Sequence, residues 1–410
     1  MGVPNNKFTN KQLLIIDSAV QVFSEKGIKR ATFAEIGARV DLATTSITYY
    51  FKKKEDLATA CYLRSIDRVC QIVESVVHVD SLAGRLKLLL RLLIEDHIAV
   101  QRGSKPPLMP FGELVNLSQT PYAEVLKQFM EMFKRLKTVL SSYDQSTHQE
   151  SLPTASTNWY FQFLWLEYWW FEYFESRHKD RVVNHLLDVW SNGLFFSDYS
   201  FNVALADKAL LQLNQIAARK EDKPVEKILV AATNLINKHG YDGASIDKIC
   251  ASLEITKGAV YHHFDSKEEL AEAAFDRTID IVSGVMSEVL KQDLNSRDKL
   301  FALCYTLIVK QVDGTMPLIS SRVIRTISLQ HREKIQNLHR KTTNEIRYLI
   351  SDGVLEGLLR PVDVLITAEV VSCAINSAFE LKLWLPAMEQ GDFLAQYLRP
   401  TLCGWLPPEN

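Results

Sequence analysis

The sequence predicts an all-α protein built from two tandem units. Glycine and proline are scarce, with 16 and 13 among 410 residues, and such a composition favours helices. Hydrophobic residues make up 47% of the chain and charged residues 23%, which is enough apolar material for sizeable cores and argues against wholesale disorder. Apolar residues recur at helical spacing, and one segment of about 50 residues occurs twice. Together these observations predict two helical halves.

The repeat has a constant offset of 213 residues, the separation of Gly27 and Gly240. Over about 50 residues the register holds without a gap, which shared helical composition would not produce by chance. The chain is therefore interpreted as two halves of roughly 200 residues each. The identical pairs are Ile15/Ile228, Ala19/Ala232, Ala31/Ala244, Ile36/Ile249, Ala38/Ala251, Phe51/Phe264, Lys54/Lys267, Glu55/Glu268, Leu57/Leu270, Arg64/Arg277 and Asp67/Asp280.

Each copy of the repeat predicts a helix-turn-helix, in which two short helices joined by a tight turn follow a longer helix. In the first copy, Gly27 ends the long helix, and Thr32 with Glu35 forms a capping box that starts the next. Residues 41–43 make the turn, and Thr44 is expected to cap a third helix that runs to Phe51. The second copy has the same features in the same order, namely Gly240, the caps Ser245 and Thr256, the turn at Glu254 and Ile255, and Phe264.

The segment ITKGAVYHHFDSKEEL, residues 255–270, resembles the signature of bacterial TetR-family repressors. The first copy, LATTSITYYFKKKEDL at residues 42–57, is a more distant match, with Thr45 where the family usually has glycine and Thr48 where it usually has tyrosine. The motif spans about 50 residues in each half, and the remainder carries little sequence signal. The resemblance implies a three-helix DNA-binding head in each half, followed by a helical ligand-binding and dimerisation bundle.

The resemblance also implies which residues contact double-stranded operator DNA. The second motif helix presents its N-terminal residues to base edges, and flanking groups hold phosphates. Gly258 would let the helix approach the duplex closely, whereas the hydroxyls of the first head predict little base preference. The candidate contacts are Thr32, Thr44, Thr45, Ser46, Thr48, Tyr49, Lys53 and Lys54 in the first head, and Ser245, Thr256, Lys257, Gly258, Ala259, Tyr261, His262 and Lys267 in the second. The expected core residues are Ile36, Ile47, Phe51, Ile249, Val260 and Phe264.

Charge distinguishes the two heads. The formal net charge of the chain is −2, but the charge of the DNA-facing surface matters more than the sum. Residues 7–69 carry 11 Lys and Arg against 7 Asp and Glu, whereas residues 219–277 carry 9 against 11. The head with the closer motif therefore has the less favourable charge, which predicts unequal phosphate contributions and an operator with two different half-sites.

The resemblance divides the chain into five regions. The heads are expected at 8–56 and 225–269, the ligand and dimerisation domains at 57–200 and 270–407, and a helical linker at 201–224. A four-helix bundle is implied between segments 155–176 and 180–196 of the first half and 362–384 and 388–404 of the second. One chain would then imitate a homodimer, and a dimer of chains remains an open alternative.

Two features bear on a small-molecule effector. The aromatic run at 159–174 predicts either a buried packing helix or the lining of an apolar pocket, and the basic residues at 328–352 either face solvent or meet an anionic ligand. The segment GLLRPVD at 357–363 resembles regulators that respond to fatty acyl or acyl-CoA ligands. A small apolar or amphipathic effector is therefore expected, with Phe163, Tyr168, Arg332 and His339 as candidate contacts.

Other functions find little support in the sequence. No G-x-S-x-G, P-loop or H-E-x-x-H motif is present, so neither an enzyme nor a cofactor or metal site is expected. The six cysteines form no C-x-x-C pair, which favours reduced buried thiols over redox sensors. No signal core or membrane-length apolar run occurs, which predicts a cytoplasmic protein. Two hypotheses remain, a ligand-responsive repressor and a sensor or protein-interaction module with degenerate heads.

Overall fold

The computed structural model describes residues 6–109, 114, 117–141, 176–206, 224–313, 317–319, 329–378 and 393–404. Within these ranges the regular elements are helical, and β pairing is limited to one isolated bridge between Phe195 and Leu359. The all-α prediction is confirmed. The aromatic segment 159–174 and most of the linker lie outside the described residues.

The first half begins with the three helices of its head and continues with a helical body. Four described helices form this body, and the last of them corresponds to the predicted bundle segment 180–196. The helices are α1 (Asn6–Arg30), α2 (Phe33–Ala38), α3 (Thr44–Tyr50), α4 (Lys54–Ser75), α5 (Leu82–Gln101), α6 (Gln119–Ser141) and α7 (Lys179–Asn192).

The second half repeats this order. Pro224 is the first residue of its first helix, a position that proline favours. The helices are α8 (Pro224–Gly243), α9 (Ile246–Leu253), α10 (Lys257–Tyr261), α11 (Lys267–Leu290), α12 (Ser296–Asp313), α13 (Leu329–Leu355), α14 (Val364–Ser377) and α15 (Arg399–Cys403), the last of which follows a π-helical turn at Leu394–Leu398.

The repeat extends to individual backbone angles. Gly27 and Gly240 kink the first helix of each head with φ values of 77° and 68°. In the turn of each motif, Asp41 and Glu254 adopt left-handed φ values of 57° and 56°, a conformation that few residues other than glycine adopt. Since both pairs are 213 residues apart, the two heads follow the same path through the helix-turn-helix.

One predicted cap is wrong. Thr44 is the first residue of α3, and the N-cap is Ala43, which offers no side-chain hydrogen bond. The offset of 213 aligns Thr256 with Ala43 rather than with Thr44, so the first head lacks the hydroxyl cap of the second. The predicted capping box of Thr32 and Glu35 is confirmed, and so is the cap at Ser245.

Both heads have apolar cores. The six residues predicted to lie there are at most 7% exposed. The core of the second head forms a cluster of its own, whereas that of the first head is continuous with a cluster that runs through both bodies. Helix α4 packs against α1 and α6, and α11 packs against α8, α12 and α13. One long helix therefore joins each head to its body.

The two bodies contact each other through the last helices of each half. Helix α7 of the first half packs against α14 and α15 of the second. The N–H groups of Leu194 and Phe195 both donate to the carbonyl oxygen of Leu402, at 2.9 and 2.8 Å, and the Arg360 N–H donates to the Leu194 carbonyl at 2.9 Å. The halves are thus joined by backbone hydrogen bonds as well as by apolar packing.

Candidate DNA interface

The second head presents α10 to solvent. The Thr256 hydroxyl accepts a hydrogen bond from the Ala259 N–H at 3.3 Å and so caps the helix. Val260 is fully buried and anchors the inner face of α10 in the core of the head. The predicted DNA contacts of this helix are all exposed, namely Thr256, Lys257, Gly258, Ala259, Tyr261 and His262.

Gly258 has no structural requirement within the head. A Cβ atom built on it would lie 3.7 Å from Thr256 Oγ1, which is an ordinary contact, and its φ is not positive. A side chain would therefore be tolerated by the fold. Its absence leaves the outer face of α10 bare, which permits close approach of another molecule to the helix backbone.

The first head offers hydroxyl groups at the corresponding place. Thr44 and Thr45 are exposed, while Ser46 and Thr48 are half-buried. The Thr48 hydroxyl donates to the Thr45 carbonyl at 3.1 Å. Tyr49 is 67% exposed and projects the largest accessible surface of α3. The predicted contacts on α3 are therefore at least partly accessible too, and all of them carry hydroxyl groups.

The two heads differ in charge at the start of the first motif helix. In the first head, hydrogen bonds from Lys26 and then Thr32 lower the pKa of Glu35 to about 2, so this carboxylate is ionised at neutral pH. In the second head, Ser245 caps α9, and Lys248 stands at the position equivalent to Glu35. Three residues after the cap, the first head thus has a carboxylate paired with Lys26, and the second head has a lysine.

Two equivalent lysines at the start of α4 and α11 are held in different ways. Lys54 Nζ donates to the carbonyl oxygens of Lys29 and Ala31 at 2.7 and 2.8 Å, and burial lowers its pKa. Lys267 Nζ lies 4.5 Å from the centre of the Tyr241 ring. Lys54 therefore ties α4 to the end of α1, so its ammonium group already has partners in the DNA-free protein.

Two further lysines of the candidate interface are exposed. Lys53 is the N-cap residue of α4. Lys257 Nζ lies 2.7 Å from Asp247 Oδ1, and this hydrogen bond raises the pKa of Lys257. Asp247 is not among the residues that the sequence singles out, and the equivalent residue of the first head is Ala34. The ion pair between Lys257 and Asp247 thus has no counterpart at the equivalent positions of the first head, which are Thr44 and Ala34.

The candidate ligand contacts lie partly outside the described residues. These include Phe163, Tyr168 and the side chain of Arg332. His339 is described, and its Nε2 lies 3.5 Å from a carboxylate oxygen of the buried Glu369. The histidine therefore faces the α13–α14 contact and not only solvent.

A buried polar network surrounds Glu369. Arg347 donates to its carboxylate at 2.9 Å, and the hydroxyls of Thr343 and Ser372 are hydrogen-bonded at 3.0 Å. His339, Thr343 and Arg347 are four residues apart and so share one face of α13. This spacing is visible in the sequence, but only the structure shows that the face is covered by α14.

The GLLRPVD segment lies where the two halves meet. Gly357 has a φ of 72°, Leu359 pairs with the first half through the isolated bridge, and Arg360 donates to Asp188 at 2.9 Å. Asp363 accepts a hydrogen bond from Arg181 at 2.8 Å. The residues of this segment are thus engaged in contacts between the halves.

The described part of the chain contains no group of His, Cys, Asp and Glu that could hold a metal ion, and no described helix is long and apolar enough to span a membrane. All six cysteines are free, and four are buried. Burial raises the pKa of Cys304 to about 12, which disfavours the reactive thiolate.

Two exposed helix-turn-helix heads on helical bodies define a DNA-binding transcriptional regulator. The family model of bacterial regulatory proteins of the tetR family matches the chain twice, at residues 15–61 and 228–274. The chain is a TetR-family regulator with two tandem units. The two matched ranges are offset by 213 residues, which is the same offset as that of the repeat.

Curated relatives agree with this assignment. An uncharacterised HTH-type transcriptional regulator of Bacillus subtilis, YhgD, is 28% identical over 147 residues, which are 35% of this chain and 76% of the relative. The HTH-type negative transcriptional regulator of the icaADBC biofilm operon in Staphylococcus aureus, IcaR, is 24% identical over 159 residues, which are 38% of this chain and 86% of that protein. About one third of this chain thus spans most of a relative.

Solved structures of similar proteins cover a comparable share. AibR in complex with isovaleryl coenzyme A and operator DNA matches with a TM-score of 0.37 and 23% identity, over 45% of this chain and 100% of that chain. FadR from Bacillus subtilis in complex with stearoyl-CoA matches with a TM-score of 0.36 and 18% identity, over 44% and 98%.

Proposed function

We propose that the chain is a ligand-responsive transcriptional repressor that binds one operator through two non-identical heads. The observation that carries the proposal is the repetition of one helix-turn-helix path, with an accessible second helix in each copy and left-handed turns at Asp41 and Glu254. The name of the Staphylococcus aureus relative, a negative transcriptional regulator, supports repression. The predicted contacts Thr44, Tyr49 and Tyr261 are the proposed readers of the DNA.

The two bodies take the place of the two subunits of a homodimer in this proposal. The packing of α7 on α14 and α15 and the backbone bonds at Leu194, Phe195 and Leu402 support such a pseudo-dimer. The proposed units are the heads at 8–56 and 225–269 and the bodies at 57–200 and 270–407. A single chain would then place two heads on one DNA duplex.

A matching contact in each half offers a route from body to head. Ser65 on α4 accepts a hydrogen bond from the Met109 N–H at 2.9 Å, and Thr278 on α11 accepts one from the Ile319 N–H at 3.0 Å. Ser65 and Thr278 are equivalent positions, and both helices lead to a head. A shift of the segments that contain Met109 and Ile319 on effector binding would therefore move α4 and α11 and change operator affinity.

The proposed effector is a small apolar or amphipathic molecule, with fatty acyl or acyl-CoA compounds as the first to test. The interior between α13 and α14 combines apolar residues with the network of Arg347, Glu369 and His339, a combination that suits a molecule with one polar end. Adding short- and long-chain acyl-CoA to the operator complex tests this part, and a lowered operator affinity is the expected result.

Selection from random DNA tests the function directly, followed by mobility shifts at several salt concentrations. We expect a bipartite site with two unlike halves and an affinity that falls as salt rises. A failure to enrich any sequence, together with no specific shift at low salt, would favour the second hypothesis, in which the heads have lost DNA binding and serve as a sensor or interaction surface.

A further inference from the structure

An exposed ion pair lies on the DNA-facing part of the second head. Lys257 is the first residue of α10, and its Nζ lies 2.7 Å from Asp247 Oδ1 in the first turn of α9. Both side chains are more than half exposed. Because the N-terminal residues of the second motif helix enter the major groove, the Asp247 carboxylate lies at the proposed interface.

The fold of the head does not depend on this carboxylate. Ser245 already caps α9 by accepting from the Lys248 N–H at 3.3 Å, and the first head forms the same motif with Ala34 at the position of Asp247. A carboxylate in the first turn of a helix interacts favourably with the helix dipole, but it also repels the phosphate groups of DNA. The experiment must therefore distinguish competition for Lys257 from general electrostatic effects.

We propose that Asp247 competes intramolecularly with DNA for Lys257 and thereby sets the affinity and specificity of the second head. The inference rests on the proposed function, because it assumes that this head reads operator DNA. In the free protein the Asp247 carboxylate is paired with the Lys257 ammonium group, which would otherwise contact a phosphate or a base edge. DNA gains the contact with Lys257 only by displacing this carboxylate.

This competition has a consequence for specificity. A phosphate contact contributes to binding on any sequence, so a lysine that is already paired contributes less to non-specific binding. The second head then depends on its base contacts, whereas the first head has no equivalent pair, since Ala34 and Thr44 occupy the two positions. The second head is expected to discriminate between sequences more strongly than the first.

The test is a double-variant cycle in the full-length chain, with Asp247→Ala, Lys257→Ala and both together, measured on the selected operator and on unrelated duplex DNA. Asp247→Ala should tighten binding by roughly two- to fivefold, the range of exposed ion pairs. The gain should be greater on unrelated DNA, and the dependence on salt should steepen by about one power of concentration.

In the Lys257→Ala background most of this gain should disappear. An equal gain in both backgrounds would overturn the competition and leave simple repulsion. Asp276→Ala is the matched control, because Asp276 is an exposed acid on α11 that lies 3.6 Å from Lys334 on α13, and its removal should leave affinity unchanged. An Asp247→Ala chain that binds operator with unchanged affinity also overturns the inference, whereas a wild-type chain that binds no DNA overturns the proposed function instead.

Discussion

Gly193 and Gly404 face each other backbone to backbone, where the last helix of each half ends. A Cβ atom built on Gly193 would lie 2.5 Å from the Gly404 nitrogen, and one built on Gly404 would lie 2.6 Å from the Gly193 nitrogen. Both residues have positive φ, 67° and 82°. The end of helix α7 in the first half therefore packs against the backbone at the end of α15 in the second half.

Replacing Gly193 by alanine should weaken the junction of the two halves. The new methyl group would overlap the backbone of residues 403 and 404, and the backbone conformation, with ψ of −173°, is one that essentially only glycine adopts. We expect a loss of about 3 kcal/mol or more in the free energy of unfolding, measured by urea denaturation.

Gly103→Ala is the control for this substitution. Gly103 has a similar φ of 70°, but nothing lies within 4 Å of its Cβ position. Its replacement should cost only the conformational strain, about 1 kcal/mol. If the two variants lost equal free energy of unfolding, the close approach of the two halves at Gly193 would contribute nothing to stability.

The ion pair between Arg181 and Asp363 should make the junction sensitive to acid. Burial raises the pKa of Asp363, but the hydrogen bonds from Arg181 and the Ile366 N–H outweigh it, and the pKa falls below the ordinary 3.8. A carboxyl group with a lowered pKa in the folded state stabilises it above the unfolded value and loses that contribution as pH falls. Asp363→Asn should therefore be less stable than the wild type at pH 7. The difference should begin to shrink as pH falls below 3.8 and should vanish once pH is below the lowered pKa of folded Asp363, as followed by thermal unfolding against pH.

The asparagine in this variant retains the helix cap at residue 363, since asparagine is as good an N-cap as aspartate. The comparison therefore isolates the charge. A stability difference that stays constant from pH 7 to pH 3 would contradict the proposed role of the ion pair with Arg181.

Tyr261→Ala should reduce operator affinity about tenfold or more if α10 reads DNA, within the range for loss of one specific contact. Adding Lys267→Ala should weaken binding further. Tyr261 is 49% exposed, so its truncation should leave the fold intact. Tyr348 on α13 is 62% exposed and serves as the control, because its replacement should not change affinity. Unchanged binding by the Tyr261 variant would exclude the second head as a DNA reader.

Ala43→Thr should stabilise the first head. Thr256 caps α10 through its hydroxyl, whereas Ala43 provides no such bond to α3. Restoring the hydroxyl should contribute about 1 kcal/mol, seen as slower hydrogen exchange of the α3 amides. The reverse change, Thr256→Ala, should speed exchange in α10, and no effect of either variant would mean that the cap is unimportant in these short helices.

The heads could be predicted from the sequence because their signals are local. The capping box at Thr32 depends on a few neighbouring residues and forms as expected. Gly27 interrupts the first helix as a kink and does not end it, since α1 continues to Arg30. The error at Thr44 has a local cause too, since two adjacent threonines made the cap ambiguous, and the offset that aligns Ala43 with Thr256 would have corrected it.

The resemblance led us to expect segment 180–196 to pack against the last helices of the second half. The backbone contacts at that junction and the network at Glu369 could not be predicted. Gly193 meets Gly404 across more than two hundred residues of chain, through backbone atoms that carry no side-chain signal. Arg360 lies in a segment whose sequence suggested an acyl-responsive regulator, and its partner Asp188 lies 172 residues earlier in the chain. Helical periodicity shows that a face is apolar or polar, but not which helix covers it.

The native mass of the complex between the chain and the selected operator tests most directly whether one chain binds both half-sites of an operator. One chain of 46.8 kDa per duplex is the expected composition, with both half-sites protected from cleavage by that single chain. A complex that contains two chains per operator, or one in which a single chain protects only one half-site, would contradict the account.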